Sequence, residues 1–517
     1  MEGPREIELK LLATPDDLRR IQRHPLVRAL ARGRAVTRQL ETVYFDTPKR
    51  ALSKADFALR LRRVDGGTVQ TLKGGERLAP GGLFQRIELE TPVEGPQPDL
   101  ACIPDPALRA ELAGLIGSAS LAPVFSTSFR RTRCVLRNEE SEWSLDLDQG
   151  EVVAGSAREP LCEVELELRE GEPARLFEFA LLLLEHFDLR PGTRSKAQRG
   201  DALALGQPPA PRRARNVALA PDATAEEACV VILSECLDQI GSNLDVACDG
   251  RDAEGVHQMR VGVRRLRAAL TLFRPLLPDD PTRIFRSELR WLGRELGAAR
   301  DLDVFLADCV EPLRTRRAHD PAFKRLAEEA AALRADCYRS VRETLHSPRH
   351  ARLVLELGGW IASRGWREQP LSEGSARLFA PARELAGTLL DRRLRRVHRL
   401  GKHLRESDEA RHDQRIEIKK LRYAAEFFRS LHPGKGARRF LRRAGRLQDS
   451  LGRLNDESAA ERILDTLLQR LGEERAPAHD RAAGFIAGWT GQRAATELEK
   501  VSEAWKDFRR QRPFWGS

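Results

Sequence analysis

Polar and apolar residues alternate one for one in short runs through the first 205 residues. EIELKL, TVYFDT, FALRLRR, TVQTLKG, LFQRIELE, WSLDLDQG and LCEVELELR are examples. Successive strand side chains point to opposite faces, so this period of two, broken by Gly, Pro and Asp, predicts antiparallel strands. Helical spacing intrudes around residues 15–30 and 173–187. The stretch GQPPAPRRARNVALAPDAT then reads as a linker over 206–223. Thr224, followed by Glu226 and Glu227, has the chemistry of a helix N-cap, and from there the pattern is helical almost to the C-terminus. The prediction is a β-rich domain over 1–205, a linker over 206–223 and an all-α domain over 224–517.

The strands share one habit. In REIELKL, Glu6, Glu8 and Lys10 fall on one face and Ile7, Leu9 and Leu11 on the other. Arg60 and Arg62, Lys73, Arg86 with Glu88 and Glu90, Arg131 and Arg133, Asp146 and Asp148, and Glu163, Glu165 and Glu167 repeat it. An open sheet would leave these charged faces wet. A closed barrel would turn them into its lumen, a costly arrangement unless water, opposite charges or a ligand satisfy them. Such a lumen suits a metal polyphosphate, because Arg and Lys neutralise phosphate oxygens while carboxylates hold a hard divalent cation. Arg130, Arg131 and Arg133 compete for one role. Alternation favours the last two, although it also places Phe129 on the lumen face. Asp148 is preferred to Asp146 because it precedes QG at the strand end.

The helical half contains a duplication. HQMRVGVRRLRAALTLF, from His257, aligns without gaps to HDQRIEIKKLRYAAEFF, from His412, and LGAARD aligns with LGRLND at the same offset of 155 residues. Two related helical halves are therefore expected. Helix geometry puts His257, Arg260, Arg264 and Arg267 on one stripe, and His412, Arg415, Lys419 and Arg422 on its counterpart. The apolar stripe (Met259, Val263, Leu266, Leu270 and Phe273; Ile418, Leu421, Ala425 and Phe428) lies to one side. Like charges stacked at these spacings destabilise an isolated helix by a few tenths of a kcal/mol per pair, so a polyanion is the expected partner.

Composition narrows the classes. At 517 residues, 32% of them charged, the chain fits a multidomain globular protein, and its net charge of +11 with a pI near 9.5 favours polyanionic partners. The longest apolar run, FALLLLEHF, is too short to span a membrane, and the N-terminus has no apolar signal region, so a cytoplasmic protein without a membrane partner is expected. The eight cysteines form no C-x-x-C pair and read as reduced thiols. Aromatics fall mostly off the basic stripes, which disfavours nucleic acid.

EIELK matches the E-x-E-x-K signature of the CYTH domain, or triphosphate tunnel metalloenzyme, and LRLRR, TLKG, RIELE, the Arg pair, LDQG, EVELEL and SKAQRG follow in that family's order. The paired His-plus-basic helices resemble the CHAD domain, often found downstream of CYTH. Together they resemble bacterial CYTH-CHAD inorganic triphosphatases. The resemblance implies an eight-stranded antiparallel tunnel with flanking helices, followed by a helical domain of two related bundle halves. It also implies Mg²⁺- or Mn²⁺-dependent hydrolysis of inorganic triphosphate to pyrophosphate and phosphate. Lys10, Arg60, Arg62, Lys73, Arg86, Arg131, Arg133 and Lys196 would hold phosphates; Glu6, Glu8, Asp148, Glu163 and Glu165 would hold metal, with Glu6, Glu8 and Lys10 catalytic. His257, Arg260, Arg264, Arg267, His412, Arg415, Lys419 and Arg422 would bind inorganic polyphosphate. The rivals are a non-catalytic polyphosphate-binding protein and an enzyme acting on an organic triphosphate, such as a thiamine triphosphatase or adenylate cyclase. With 6% aromatic residues and Trp143 the only tryptophan among the first 205, no stacking platform is evident for an organic moiety.

Overall fold

In a computed structural model, residues 5–64, 66–79, 83–370 and 372–516 are described. The chain forms two compact units. The first comprises Met1–Ala210 with His346–Gly365, and the second Pro211–Leu345 with Trp366–Ser517.

In the first unit, β1 (Arg5–Leu12), β2 (Ala31–Asp46), β3 (Ala58–Val64), β4 (Gly67–Ala79), β5 (Leu83–Val93), β6 (Ala122–Arg137), β7 (Glu142–Ala154) and β8 (Ala157–Glu170) pair in the order β5-β4-β3-β2-β6-β7-β8-β1. Pairing of β1 with β5 closes the sheet into an eight-stranded antiparallel barrel; the two-residue β9 (Arg190–Pro191) adds to β1 outside the ring. The barrel is apolar on its outside. Leu9, Leu11, Leu145, Leu147, Val164 and Leu166 pack under the Pro15–Arg23 helix and α1 (Ala174–Leu184), while Leu59 and Leu72 pack against Leu52, Ile103 and Leu112. Period-two alternation thus has two buried faces here, one in a hydrophobic core and one in the lumen.

One end of the lumen is filled by Leu40, Tyr44, Phe125, Phe129, Val152 and Leu161 with residues of α2 (Lys196–Leu205). A capping box starts α2, in which the Ser195 side chain accepts from the Gln198 N–H and the Gln198 side chain accepts from the Ser195 N–H. Gly200 lets α2 approach the Phe125 ring; a Cβ at this position would collide with that ring.

The Pro348–Ala362 helix lies far along the sequence, yet it packs in the first unit. Ala351 and Leu355 join the core built on Leu176, Phe177 and Ala180, and Gly359 faces Phe177.

The second unit is helical, and its duplication appears as paired elements. The α3 helix (Ala225–Gly241), α4 (Ala253–Leu272) and α5 (Asp279–Phe305) correspond to α6 (Ala382–Leu400), α7 (Asp408–Phe428) and α8 (Lys435–Arg470). The starts of α3 and α6 pair with each other: the Ala225 N–H donates to the Ala380 carbonyl and the Ala382 N–H to the Ala223 carbonyl, both at 2.8 Å. Met259, Val263, Leu266, Leu270, Ile418 and Leu421 are buried, so the cationic stripes of α4 and α7 lie beside a packed face.

Candidate functional sites: a charged tunnel and a cationic helix pair

The lumen holds a cavity of about 760 Å³ lined by residues of both charge signs. Strand register sets their positions. Lys10 stands opposite Glu165, Asp148 opposite both Arg131 and Glu163, Asp146 opposite both Arg133 and Glu165, and Glu6 opposite Arg86.

The densest cluster lies on the β7–β8 wall. Asp148, Glu163 and Glu165 are buried, and each offers a carboxylate oxygen within 4.8 Å of the others. Lys196, the first residue of α2, places its Nζ 2.8 Å from Asp148 and 2.7 Å from Glu165, and also contacts Glu163. Lys10 Nζ lies 2.6 Å from Glu165 and 3.4 Å from Glu163. Burial alone would depress the Lys10 ammonium, but Glu163, Glu165 and Glu8 outweigh it and hold Lys10 well above its ordinary range. Burial would likewise raise Glu165, yet Lys10, Lys196 and Arg131 hold it well below the usual carboxylate range; Asp148, also opposed by burial, is lowered by Arg131 and Lys196.

Glu6 and Glu8 lie further along the lumen, outside that trio. Glu6 accepts from Lys73 at 2.8 Å and from Arg86 at 2.7 Å; Glu8 sits 3.2 Å from Arg86 and 3.3 Å from Lys10. Glu88 engages Lys73 at 2.9 Å and Arg60 at 3.3 Å, and Arg133 pairs with Asp146 and Glu167. Arg62 differs from these. It donates to Thr42 Oγ1 at 3.1 Å, and among the described residues no carboxylate lies within ion-pair distance of it. Burial, then Arg60 and Arg131, pushes its guanidinium down to about 9, so this cation has most to gain from an arriving anion.

Phe129 is a lumen residue, as alternation requires, and the cations explain why it belongs there. Lys196 Nζ lies 5.0 Å and the Arg131 guanidinium 5.6 Å from the centre of its ring. Phe84 plays the same part for Lys10 and Arg86.

In the helical unit, α4 and α7 bring Arg260, Arg264, Arg415 and Lys419 into one electrostatic centre. Asp301 and Asp456, the aligned last residues of LGAARD and LGRLND, flank it. Burial, then Arg415 and Arg264, pushes Lys419 down to about 7. His257 is pushed down to about 4 by burial and by Arg300, so it is neutral at physiological pH. Arg267 adjoins Arg286 and Arg290, away from this centre, and Arg422 is engaged by Glu426 at 2.6 Å and Gln448 at 2.8 Å. His412 is exposed.

Family models match both halves: the CYTH domain over residues 4–200 and the CHAD domain over 231–465. The chain is a CYTH domain followed by a CHAD domain. An inorganic triphosphatase of Haemophilus influenzae is 32% identical over 211 residues, a match spanning 39% of this chain and 56% of that relative's length. An uncharacterized protein of Mycobacterium tuberculosis is 28% identical over 425 residues, covering 75% of this chain and 76% of the relative. The crystal structure of the CHAD domain from the plant Ricinus communis is 32% identical, with a TM-score of 0.50, covering 57% of this chain and 96% of that one.

The geometry also adds residues that strand alternation did not reveal. In the CYTH tunnel, Arg199 donates to Glu159 at 2.8 Å and to Glu163 at 3.4 Å. It lies three residues after Lys196, one helical turn on, and that spacing was its only signal. In the CHAD unit, Arg300 immediately precedes Asp301 in the repeated motif but aligns with Asn455, so the duplication itself concealed it.

Proposed function

We propose that the tunnel hydrolyses inorganic triphosphate to pyrophosphate and phosphate with Mg²⁺ or Mn²⁺, and that the CHAD unit binds inorganic polyphosphate. The observation that carries this reading is the trio Asp148, Glu163 and Glu165, buried within 4.8 Å of one another and faced by phosphate-binding cations. An all-oxygen, buried, anionic donor set fits a hard divalent cation. Asp148, Glu163 and Glu165 would hold that cation, which when bound neutralises phosphate charge and lowers the pKa of water.

The chain's own residues do the positioning. Arg60, Arg62, Lys73 and Arg86 form a cationic wall on β3–β5, and Arg131, Arg133 and Lys196 face them from β6 and α2. A triphosphate between these walls is clamped along its length, and phosphoryl transfer depends mainly on such in-line positioning and charge neutralisation. Water attacks the terminal phosphorus, the bridging P–O bond breaks, and its electron pair leaves on pyrophosphate. Glu6 and Glu8 hold Arg86 and Lys73 in place along the phosphate path. Tyr44 lines the cavity, but one face of its ring is stacked on Phe125 with centroids 4.4 Å apart and the residue is only 5% exposed, so it offers little surface to an organic group, and this favours the inorganic chain. The triphosphatase homology of the tunnel supports the same reading.

The test is phosphate release by the purified chain from inorganic triphosphate, ATP and thiamine triphosphate, each with Mg²⁺, Mn²⁺ or EDTA. Metal-dependent release that strongly favours inorganic triphosphate is expected. Absence of release from all three, with polyphosphate still bound, removes the catalytic claim.

A further inference from the structure

Two basic residues of α2, Lys196 and Arg199, hold different oxygens of one buried carboxylate. Glu163 is 0% exposed; Lys10 and Lys196 both take its Oε1, whereas Arg199 Nη1 donates to its Oε2 at 3.4 Å. Lys10 and Lys196 line the cavity, and Arg199 does not.

The remaining contacts of Arg199 lie outside the trio. Its Nε donates to Glu159 Oε1 at 2.8 Å and its Nη2 to the Pro160 carbonyl at 2.5 Å, so the planar guanidinium is tied to the start of β8 by two further bonds. Arg199 is 8% exposed, and the next residue, Gly200, seats α2 on the Phe125 ring. Lys196 has no such second attachment: among the described residues its ion pairs are all with Asp148, Glu163 and Glu165.

This division decides what happens when a cation enters the trio. The cation displaces the cavity lysines from Oε1, while Arg199, secured by a second carboxylate and a backbone carbonyl, stays where it is. Resting on the divalent-cation reading above, we propose that Arg199 is a positioning residue for the trio: held by Glu159 and the Pro160 carbonyl, it keeps Oε2 of Glu163 and turns Oε1 toward the cation. Lys10 and Lys196 are then the cations released to phosphate, and Arg199 is the one that remains. A charge role and a positioning role differ in sign. Deleting a cation beside the trio removes repulsion and by Coulomb's law alone tightens divalent binding. Deleting Arg199 frees Glu163 to turn, and loss of such an outer partner weakens metal affinity by about ten- to a hundredfold.

The experiment titrates Mn²⁺ against the full chain, following the electron paramagnetic resonance signal of the free ion, for the unmodified protein, Arg199→Gln, Glu159→Gln and the double variant. Urea midpoints in EDTA confirm that each folds. Arg199→Gln should bind Mn²⁺ about tenfold more weakly. Glu159→Gln should also bind more weakly, by a smaller factor, and the double variant no more weakly than Arg199→Gln, because Glu159 acts through Arg199. Unchanged or tighter Mn²⁺ binding by Arg199→Gln, or losses that add in the double variant, overturns the positioning role while leaving the cation site standing. Should Arg199→Gln not fold, an unchanged affinity in Glu159→Gln overturns it equally. Absence of Mn²⁺ binding by the unmodified protein overturns the divalent-cation reading and the positioning role with it.

Discussion

Lys196→Gln is the most informative perturbation of the tunnel. Its ammonium touches Asp148, Glu163 and Glu165 in a pocket where all three carboxylates are buried. Without it, Lys10 still reaches Glu163 and Glu165, Arg131 still reaches Asp148 and Glu165, and Arg199 still reaches Glu163, but these three cations are also shared with Glu8, Asp146 and Glu159, so the cluster keeps more negative charge than its neighbours neutralise. Removing one partner of a buried ion pair costs about 3–5 kcal/mol. At roughly 2–4 °C per kcal/mol for a unit of this size, the metal-free tunnel should unfold about 10 °C lower.

A divalent cation should reverse that loss. In the unmodified chain it must displace both the Lys196 and the Lys10 ammonium from the carboxylates; in Lys196→Gln one of the two is gone. Manganese should therefore raise the unfolding temperature of the variant more than that of the unmodified protein, and the ligand concentration needed should fall, since stabilisation follows the ratio of free ligand to Kd. Calorimetric unfolding in EDTA and in a Mn²⁺ series reads both quantities. If the variant unfolds with the unmodified protein in EDTA, or if Mn²⁺ stabilises the two equally, Lys196 and the cation do not share the trio and the reasoning is refuted.

Three further outcomes follow from the same geometry. Glu8→Gln should lower triphosphate hydrolysis by about two orders of magnitude, through loss of the charged partner of Arg86 and Lys10, while leaving polyphosphate binding by the full chain in EDTA unchanged; loss of that binding would refute the separation of the two sites. Lys419 is held near 7 in the free protein, and a polyanion restores its proton, so binding should take up protons and weaken as pH rises through 7 to 9. Calorimetry in buffers of different ionisation enthalpy checks the uptake, and pH-independent affinity would refute it. Deleting 346–365 strips Ala351 and Leu355 from the core around Phe177. At ~1.5–3 kcal/mol per large apolar side chain exposed, this should destabilise the tunnel unit by several kcal/mol, read as dye binding and a lower midpoint in urea, and an unchanged midpoint would refute the packing.

Local patterns carried much of this fold. Period-two alternation exposed both faces of the barrel strands because each face is buried in its own way, and the fixed offset of the repeat paired α4 with α7 before any contact was known. Long-range consequences were not legible. The Pro348–Ala362 segment has the amphipathic pattern of any packed helix, and nothing in it says that its apolar face meets Phe177 rather than its sequence neighbours. Alternation placed Lys10 and Glu165 in a lumen, but only strand register sets them opposite each other. The resemblance, not alternation, grouped Glu6 and Glu8 with the later acids; in the structure the closure between β1 and β5 sets Glu6 beside Lys73 and Arg86, while Asp148, Glu163 and Glu165 cluster on the β7–β8 wall. His257 looked like a member of a cationic stripe; its neutrality comes from burial and from Arg300 on another helix.

The two sites handle negative charge by different means, and this separates their requirements. In the tunnel most cations are already matched to carboxylates: Lys73 and Arg86 to Glu6, Arg60 to Glu88, Arg131 to Asp148, and Lys10 and Lys196 to Glu165. A triphosphate entering alone would have to pull these cations away and leave buried carboxylates uncompensated, at several kcal/mol for each. A divalent cation arriving with it takes over Asp148, Glu163 and Glu165 and frees the lysines for phosphate. On the CHAD helices, Arg286, Arg290 and Arg294 have no carboxylate to give up among the described residues. Triphosphate binding in the tunnel should therefore require Mg²⁺ or Mn²⁺, whereas polyphosphate binding by the helical unit should persist in EDTA and weaken with salt. Equilibrium dialysis of labelled triphosphate and of long-chain polyphosphate against the full chain, with and without EDTA, measures both. A tunnel that fills equally well without metal would show that its ion pairs open at little cost, contrary to their burial.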